Sequence, residues 1–218
     1  MRFRDRADAG QRLADQLAKE LPWLEQAQPV VLALPRGGVP VGFEVARRLH
    51  APLDVIVVRK IGAPGQEELG IGAITSDGTQ VLDAEAIAAL GIRPKYLEET
   101  VARELLELRR RERLYREGRL VINVEGRTAV LVDDGLATGV SARAALIALR
   151  KEQPSRLVLA VPVCAAETRT AVAKEADQVV SVITPDRFYA VGVWYDDFSQ
   201  TTDEEVVALL REAPRAPA

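Results

Sequence analysis

Five short apolar runs constrain this chain more than any other feature of its sequence. They are Val30 to Leu34, "LDVIVV" from Leu53 to Val58, "VLVD" from Val130 to Asp133, "LVLAVPV" from Leu157 to Val163, and "QVVSVI" from Gln178 to Ile183. A strand with one wet face alternates apolar and polar residues, whereas one covered on both faces reads as a continuous β-branched run. Between these runs lie segments of helical spacing. "VPVGFEVARRL" sets Val41, Val45 and Leu49 four apart, and "SARAALIALRKE" and "AAETRTAVAKEA" behave alike. Upstream, Asp8 to Leu21 repeats Leu13, Leu17 and Leu21 at the same interval. Doubly covered strands alternating with helices predict an α/β fold, a parallel sheet flanked by helices.

Two segments leave this alternation. From Ile61 to Arg127 runs a long excursion, predicted to hold a hairpin ("IGAITSDGTQVLD") that turns at Asp77-Gly78. A polar helix from about Pro94 to Gly118 follows, with Leu97, Val101, Leu105 and Leu108 on one face. Its run "RELLELRRRERLYRE" mixes both signs of charge, which suits a solvated face or an oligomer contact better than nucleic acid. The other segment, "FYAVGVWYDDFSQTTDEEVVALL", gathers most of the aromatic residues; Thr202 and Glu205 fit a capping box opening a last helix. The tail "APRAPA" is expected to be disordered. No repeat or linker interrupts residues 1–218, so a single domain is expected, with 61–127 as an insertion and 184–210 as a C-terminal cover.

Composition narrows the partners. Lys and Arg total 29 against 32 Asp and Glu, a formal charge of -3, which argues against a polyanion-binding surface. One cysteine, Cys164, leaves no internal disulfide, and a single histidine leaves too few ligands for a Cys/His zinc site. The opening "MRFRDRADAG" has no apolar stretch, and no run approaches the roughly 18 apolar residues of a membrane span. A soluble, cytoplasmic protein is expected.

The stretch "VLVDDGLATG" (Val130–Gly139) carries the chemistry. Small residues after a parallel strand let backbone N–H groups point inward, and the next helix adds its partial positive N-terminus; together these bind phosphate. Gly135, Leu136, Ala137, Thr138, Gly139 and Val140 supply such a backbone, and Thr138 and Ser141 add hydroxyls. Asp133 and Asp134 lie at the carboxyl end of the strand, where open α/β sheets bind ligands. Carboxylates repel a phosphate, so they must face donors: sugar hydroxyls or a metal. A phosphorylated ribose with Mg²⁺ satisfies both halves.

This stretch resembles the phosphoribosyl-diphosphate (PRPP) motif of type I phosphoribosyltransferases at all ten positions. The resemblance implies that Asp133 and Asp134 bind the ribose 2- and 3-hydroxyls, and reach Mg²⁺ only through those hydroxyls or water, while residues 135–141 hold the 5-phosphate. "PRGG" (Pro35–Gly38) stands where the family's diphosphate loop lies, with Arg36 as its cation, Gly37 and Gly38 for close approach, and a cis peptide expected at Arg36-Gly37. Arg59 and Lys60 resemble the basic pair that adenine-type enzymes place near the diphosphate, an internal salt bridge being the alternative. Arg36, Lys60, Asp133 and Asp134 are the implied catalytic set. The excursion stands where the family has a mobile loop that excludes water.

The C-terminal stretch resembles the family's hood. "YAVGVWYDD" would stack Tyr189 on the acceptor ring and place Asp196 at its edge, core packing being the alternative. Ala137 stands where hypoxanthine–guanine enzymes carry an acid, so amino-bearing, adenine-like acceptors are expected over 6-oxopurines. "LPRGGVPVG", "VRKIGAPG" and "YDDFSQTTDEEV" bring the chain nearest to a bacterial branch of the family. The implied activity is transfer of phosphoribose from PRPP to a nitrogen acceptor, by a homodimer binding small molecules but neither nucleic acid nor membrane. A PRPP-sensing regulator and another phosphosugar transferase are the alternatives.

Overall fold

Strands β1 (Val30–Ala33), β2 (Leu53–Val55), β6 (Thr128–Val132), β7 (Arg156–Val163) and β8 (Gln178–Ile183) form one parallel sheet in the order β2-β1-β6-β7-β8. The computed structural model describes residues 2–214, with the backbone alone at 67 and 68. The sheet's two faces differ in side-chain size. Val31, Ala33, Val130, Val132, Val158, Ala160 and Val180 point to one side, against α1 (Arg6–Glu20), α2 (Gly38–Arg48) and α7 (Asp203–Glu212). Leu32, Leu131, Leu157, Leu159 and Val161 point to the other, against α5 (Val140–Lys151) and α6 (Ala166–Val172). The small-residue face lets α2 approach closely: a Cβ on Gly42 would stand 3.0 Å from the Ala33 methyl. A one-residue slip would drive leucines into that helix, and overpacking of this kind costs about 1–3 kcal/mol per site.

The excursion differs from its sequence reading in three ways. The run "LDVIVV" is not one strand. β2 stops at Val55, Ile56 N–H still reaches the Ala33 carbonyl (3.1 Å), and Val58 opens β3 (Val58–Ala63) of a second, antiparallel sheet. Continuous apolarity cannot mark where a chain leaves one sheet for another. β3 turns at Pro64-Gly65 into β4 (Gln66–Thr75), a hairpin that was not anticipated, before the expected turn at Asp77-Gly78 leads into β5 (Gln80–Leu82). At that second turn Gly78 has φ +84° and Thr75 N–H meets the Thr79 carbonyl at 3.0 Å. A short helix α3 (Ala84–Ala89), capped by Asp83, also precedes the long α4 (Pro94–Arg116). Leu97, Val101 and Leu105 of α4 pack on Ile61, Ile71 and Ile74 of the hairpins, while Leu108 joins the main core.

At the C-terminus, Phe3 pairs with Tyr195 beside a 3₁₀ turn (Val191–Trp194), and the Thr202–Glu205 capping box opens α7. The tail is not wholly loose. Ala213 is buried, and the Pro214 carbonyl accepts from Leu53 N–H at 3.4 Å; residues 215–218 lie outside the described ones. Among the described residues no helix is long and apolar enough to cross a membrane.

Asp54 ties the excursion to the sheet. It accepts from Arg116 Nε (3.3 Å) and Ile122 N–H (3.2 Å), while Arg116 Nη2 donates to the Val55 carbonyl (2.9 Å). Both side chains are nearly buried, at 7% and 15% exposure, so water screens the pair little. Asp54→Ala would leave the guanidinium with Glu112 (3.4 Å) and the Val55 carbonyl but the Ile122 N–H without its acceptor, and is expected to cost about 1–3 kcal/mol in urea unfolding. A loss under about 1 kcal/mol, the range of an exposed pair, would show that the anchorage lies elsewhere.

Candidate functional site

The strand order reverses at β1: its successor β2 lies on one side and β6 on the other, so the loops after β1 and β6 diverge from adjacent strand ends. That is where open α/β sheets hold ligands. Leu34 N–H bonds the Val132 carbonyl at 2.9 Å, bringing the "PRGG" turn against the two aspartates. A cleft of about 280 Å³ opens there, lined by residues 133–142 with Lys60, Val191 and Phe198.

The loop from Gly135 to Gly139 is pinned at Leu136 and Ala137 and open beyond them. Leu136 donates to the Val163 carbonyl (2.9 Å) and accepts from Ala165 N–H (3.2 Å). Thr168 of α6 donates its hydroxyl proton to the Ala137 carbonyl. Gly139, at φ +70°, then starts α5, and no side chain caps that N-terminus. An uncapped helix start offers unpaired N–H groups and a partial positive charge to the cleft. Ala137 and Thr138 are exposed beside it, and Val140 and Ser141 also line the cleft.

The two carboxylates have different neighbours. Asp133 accepts from the N–H of Asp134 (2.8 Å). Asp134 Oδ2 receives Arg6 Nε at 2.9 Å, and Tyr195 donates its hydroxyl to the Asp134 carbonyl at 2.6 Å. A Cβ on Gly37 would lie 2.0 Å from Asp134 Oδ2, and one on Gly38 2.9 Å from the Val132 carbonyl, so only glycines let the two loops meet. Burial and the neighbouring Asp134 push the Asp133 carboxyl well above the usual range, against Lys60 and Arg6, which pull it down. Burial likewise raises Asp134, and Arg6 opposes it. Burial also raises the Tyr195 hydroxyl, which stays protonated as a donor.

Other residues singled out in the sequence are placed less uniformly. Arg59 and Lys60 do not close a loop; they alternate along β3, and the two-residue period separates them. Arg59 turns to Glu104 of α4 (2.7 Å), the salt-bridge alternative, while Lys60 borders the cleft. Arg36 does not line the cleft. It lies 3.7 Å from Asp203, which also accepts from the Tyr115 hydroxyl (2.7 Å). The cis peptide falls at Pro35-Arg36, one residue before the expected place, and Gly37 carries helical angles as the N-cap of α2. Tyr189 is 81% exposed, and Asp196 pairs with Arg2 (3.3 Å); neither borders the cleft, because the hood turns through Val191–Trp194 between them. Val191 and Phe198 occupy that wall instead. Sequence reasoning missed these two, together with Arg6 and Thr168. For Phe198 the aromatic clustering was a usable signal; for Arg6, in a charged N-terminal segment, there was none.

The loop geometry can be tested directly. A Cβ on Gly139 would meet the Thr168 methyl at 2.7 Å and would hold an L-residue in the left-handed region. Gly139→Ala is expected to destabilise the protein by at least about 1–2 kcal/mol and to weaken binding of inorganic phosphate in NMR titrations. Adding Thr168→Ser, which removes the methyl but keeps the hydroxyl, should recover part of both losses. Equal phosphate affinity in all three proteins would show that the loop does not bind the anion.

Comparison with known proteins bears on the whole chain. Two Mycobacterium tuberculosis proteins, from strains CDC 1551 / Oshkosh and H37Rv, are 47% identical over 213 residues, 98% of this chain and 47% of each relative. The H37Rv protein is named "Putative phosphoribosyl transferase Rv0571c". The chain thus spans about half the length of the curated relatives it matches. "Bifunctional protein PyrR" of Chloroflexus aurantiacus is 33% identical over 129 residues, 58% of this chain and 65% of that one. The crystal structure of TT1426 from Thermus thermophilus superposes with a TM-score of 0.81 at 47% identity, covering 98% of this chain and 99% of that one. Residues 3–198 match the phosphoribosyl transferase domain, and the chain belongs to that family.

Proposed function

We propose that the protein is a phosphoribosyltransferase that moves phosphoribose from PRPP to a flat nitrogen acceptor, with a nucleobase as the best fit. The observation that carries this reading is the uncapped N-terminus of α5, entered through a loop almost without side chains and flanked by two carboxylates in the crevice. The N–H groups of Ala137 to Ser141 would take the 5-phosphate. Asp133 and Asp134 would accept from the ribose hydroxyls, and Lys60 would neutralise charge on the departing diphosphate. Arg36, now paired with Asp203, would need to swing from that partner to join Lys60.

Mg²⁺ suits this site on its donor chemistry. Among the described residues no group of three or more His, Cys, Asp or Glu could hold a metal, so the chain offers two carboxylates and no cage. A hard cation that keeps its own waters and takes substrate oxygens fits such a donor set, with Asp133 and Asp134 reaching it through ribose hydroxyls or water. When bound, it would supply positive charge to the diphosphate.

The acceptor is proposed only as a class. The expected preference for adenine-like bases relied partly on Tyr189 and Asp196, which stand off the cleft, and stacking on Phe198 and Val191 discriminates little between flat rings. Ala137 still offers no carboxylate to take a proton from a 6-oxopurine.

The deciding experiment is diphosphate release from PRPP and Mg²⁺ with a panel of nucleobases and amines. Release with at least one acceptor is expected. Asp133→Asn and Asp134→Asn should each weaken PRPP binding by about 1.5–3 kcal/mol, roughly tenfold or more, with folding retained. Tight PRPP binding without release for any acceptor would favour a sensor, and no PRPP binding at all would overturn the reading.

A further inference from the structure

Helix α4 buries one stripe and leaves the opposite one bare. Thr100, Glu104, Leu108 and Tyr115 face the fold, while Leu106, half-way along the other side, is 69% exposed. Large exposed apolar side chains gather around this helix. Of the ten found among the described residues, Leu106 and Leu114 lie on α4, Leu90 just before it, and Leu120 and Val121 just after it. Scattered single leucines mean little, but a concentration of this kind marks a contact surface.

Charge on the bare stripe is ordered about Leu106. Glu99 stands seven residues before it and Arg113 seven after; Lys95 stands eleven before and Glu117 eleven after. Steps of seven and eleven return to nearly the same side of an α-helix, so these five residues share one stripe, and all are exposed. Each charge therefore has its opposite at the same distance on the other side of Leu106. Arg103 and Arg109, three residues to either side, are alike in sign. They fall about 60° to opposite edges of the stripe, and Arg103 turns to Glu104 (3.3 Å).

The second half of this face opens into a groove of about 500 Å³, lined by Arg109, Glu112, Arg113, Arg116, Gly118 and Arg119. The acids nearby are engaged within the chain: Glu107 by Arg110 and Arg111, Glu112 by Arg116, and Glu117 by Arg211. Arg109 and Arg113 are left without a carboxylate among the described residues. In the first half, Glu99 meets only the exposed Lys95, at 3.8 Å.

We infer that the protein self-associates through this face. Two copies pack their α4 helices antiparallel across a two-fold axis at Leu106, and each lays its Glu99 end into the arginine groove of the other. That symmetry sets Glu99 against Arg113 and Lys95 against Glu117, twice each, with the two Leu106 side chains in contact. It also brings the apolar flanks together, since Leu90 and Leu120 lie sixteen and fourteen residues to either side of the axis. Parallel packing would instead set every charge on its like. A nucleic acid would meet the carboxylates of Glu98 and Glu99 and would leave Leu106 in water. The association is independent of what the cleft binds.

The test is sedimentation equilibrium of the full chain over about 1–200 µM, bracketing the affinity expected when one helix of about 35 Å carries the contact. Wild type should pass from monomer to dimer in that range. Leu106→Asp, which sets two like charges at the axis, should weaken association about tenfold or more. Glu99→Arg and Arg113→Glu should each weaken it about tenfold, and the double variant, which exchanges the charges across the axis, should recover most of that loss. These positions are exposed, so far-UV circular dichroism should be unchanged throughout. A short bismaleimide should join dimers of Leu106→Cys but not of Lys19→Cys on α1; the native Cys164 is buried and stays silent. A wild type monomeric throughout, a Leu106→Asp variant that dimerises like wild type, or a double variant no better than the singles would overturn the inference. So would crosslinking at position 19 in preference to 106.

Discussion

Coverage of the parallel sheet on both faces governs the rest of this molecule. With α1, α2 and α7 on one side and α5 and α6 on the other, the central strands have no wet surface, and polar chemistry is confined to their ends. The chain runs from β1 to β2 and returns on the far side of β1 as β6, so one pair of carboxyl ends must part. The glycine turn and the acidic loop are set there by the backbone bond between Leu34 and Val132. The location of the cleft follows from connectivity before any side chain is considered.

Segments outside the sheet complete the site. β3 carries Lys60 to the cleft because the excursion begins as a strand, and the strand's alternation sends Arg59 the other way to Glu104. The N-terminus and the hood arrive together: Phe3 pairs with Tyr195, and Arg6 lies between Asp134 and Phe198. Elements distant in sequence thus converge on one carboxylate, which makes its environment a property of the whole fold.

Much of this was legible in the sequence. The apolar runs disclosed the five core strands, because a strand buried twice has no polar period. The motif at 130–139 marked the loop that lines the cleft and opens α5, because small residues there have few structural uses. Its physics was local. Legibility failed where contact depends on distant partners. Nothing in "LDVIVV" shows that its last residue belongs to another sheet, and nothing in "MRFRDRADAG" marks Arg6 rather than Arg2 or Arg4 as the one that meets Asp134. In the hood, the aromatic cluster was visible but its facing was not. The 3₁₀ turn rotates Val191 and Phe198 inward and leaves Tyr189 in solvent.

The contact between Gly37 and Asp134 has a consequence for how such a sequence can change. A methyl at position 37 would overlap the carboxylate, although the two residues are far apart along the chain. The glycine turn therefore cannot gain a side chain at 37 while the Asp134 carboxylate keeps its place. Any larger residue at 37 requires a shorter one at 134, and that exchange discards the acid itself. The two positions are coupled through space, whereas the hairpins and the hood meet the cleft only through side chains such as Lys60, Val191 and Phe198.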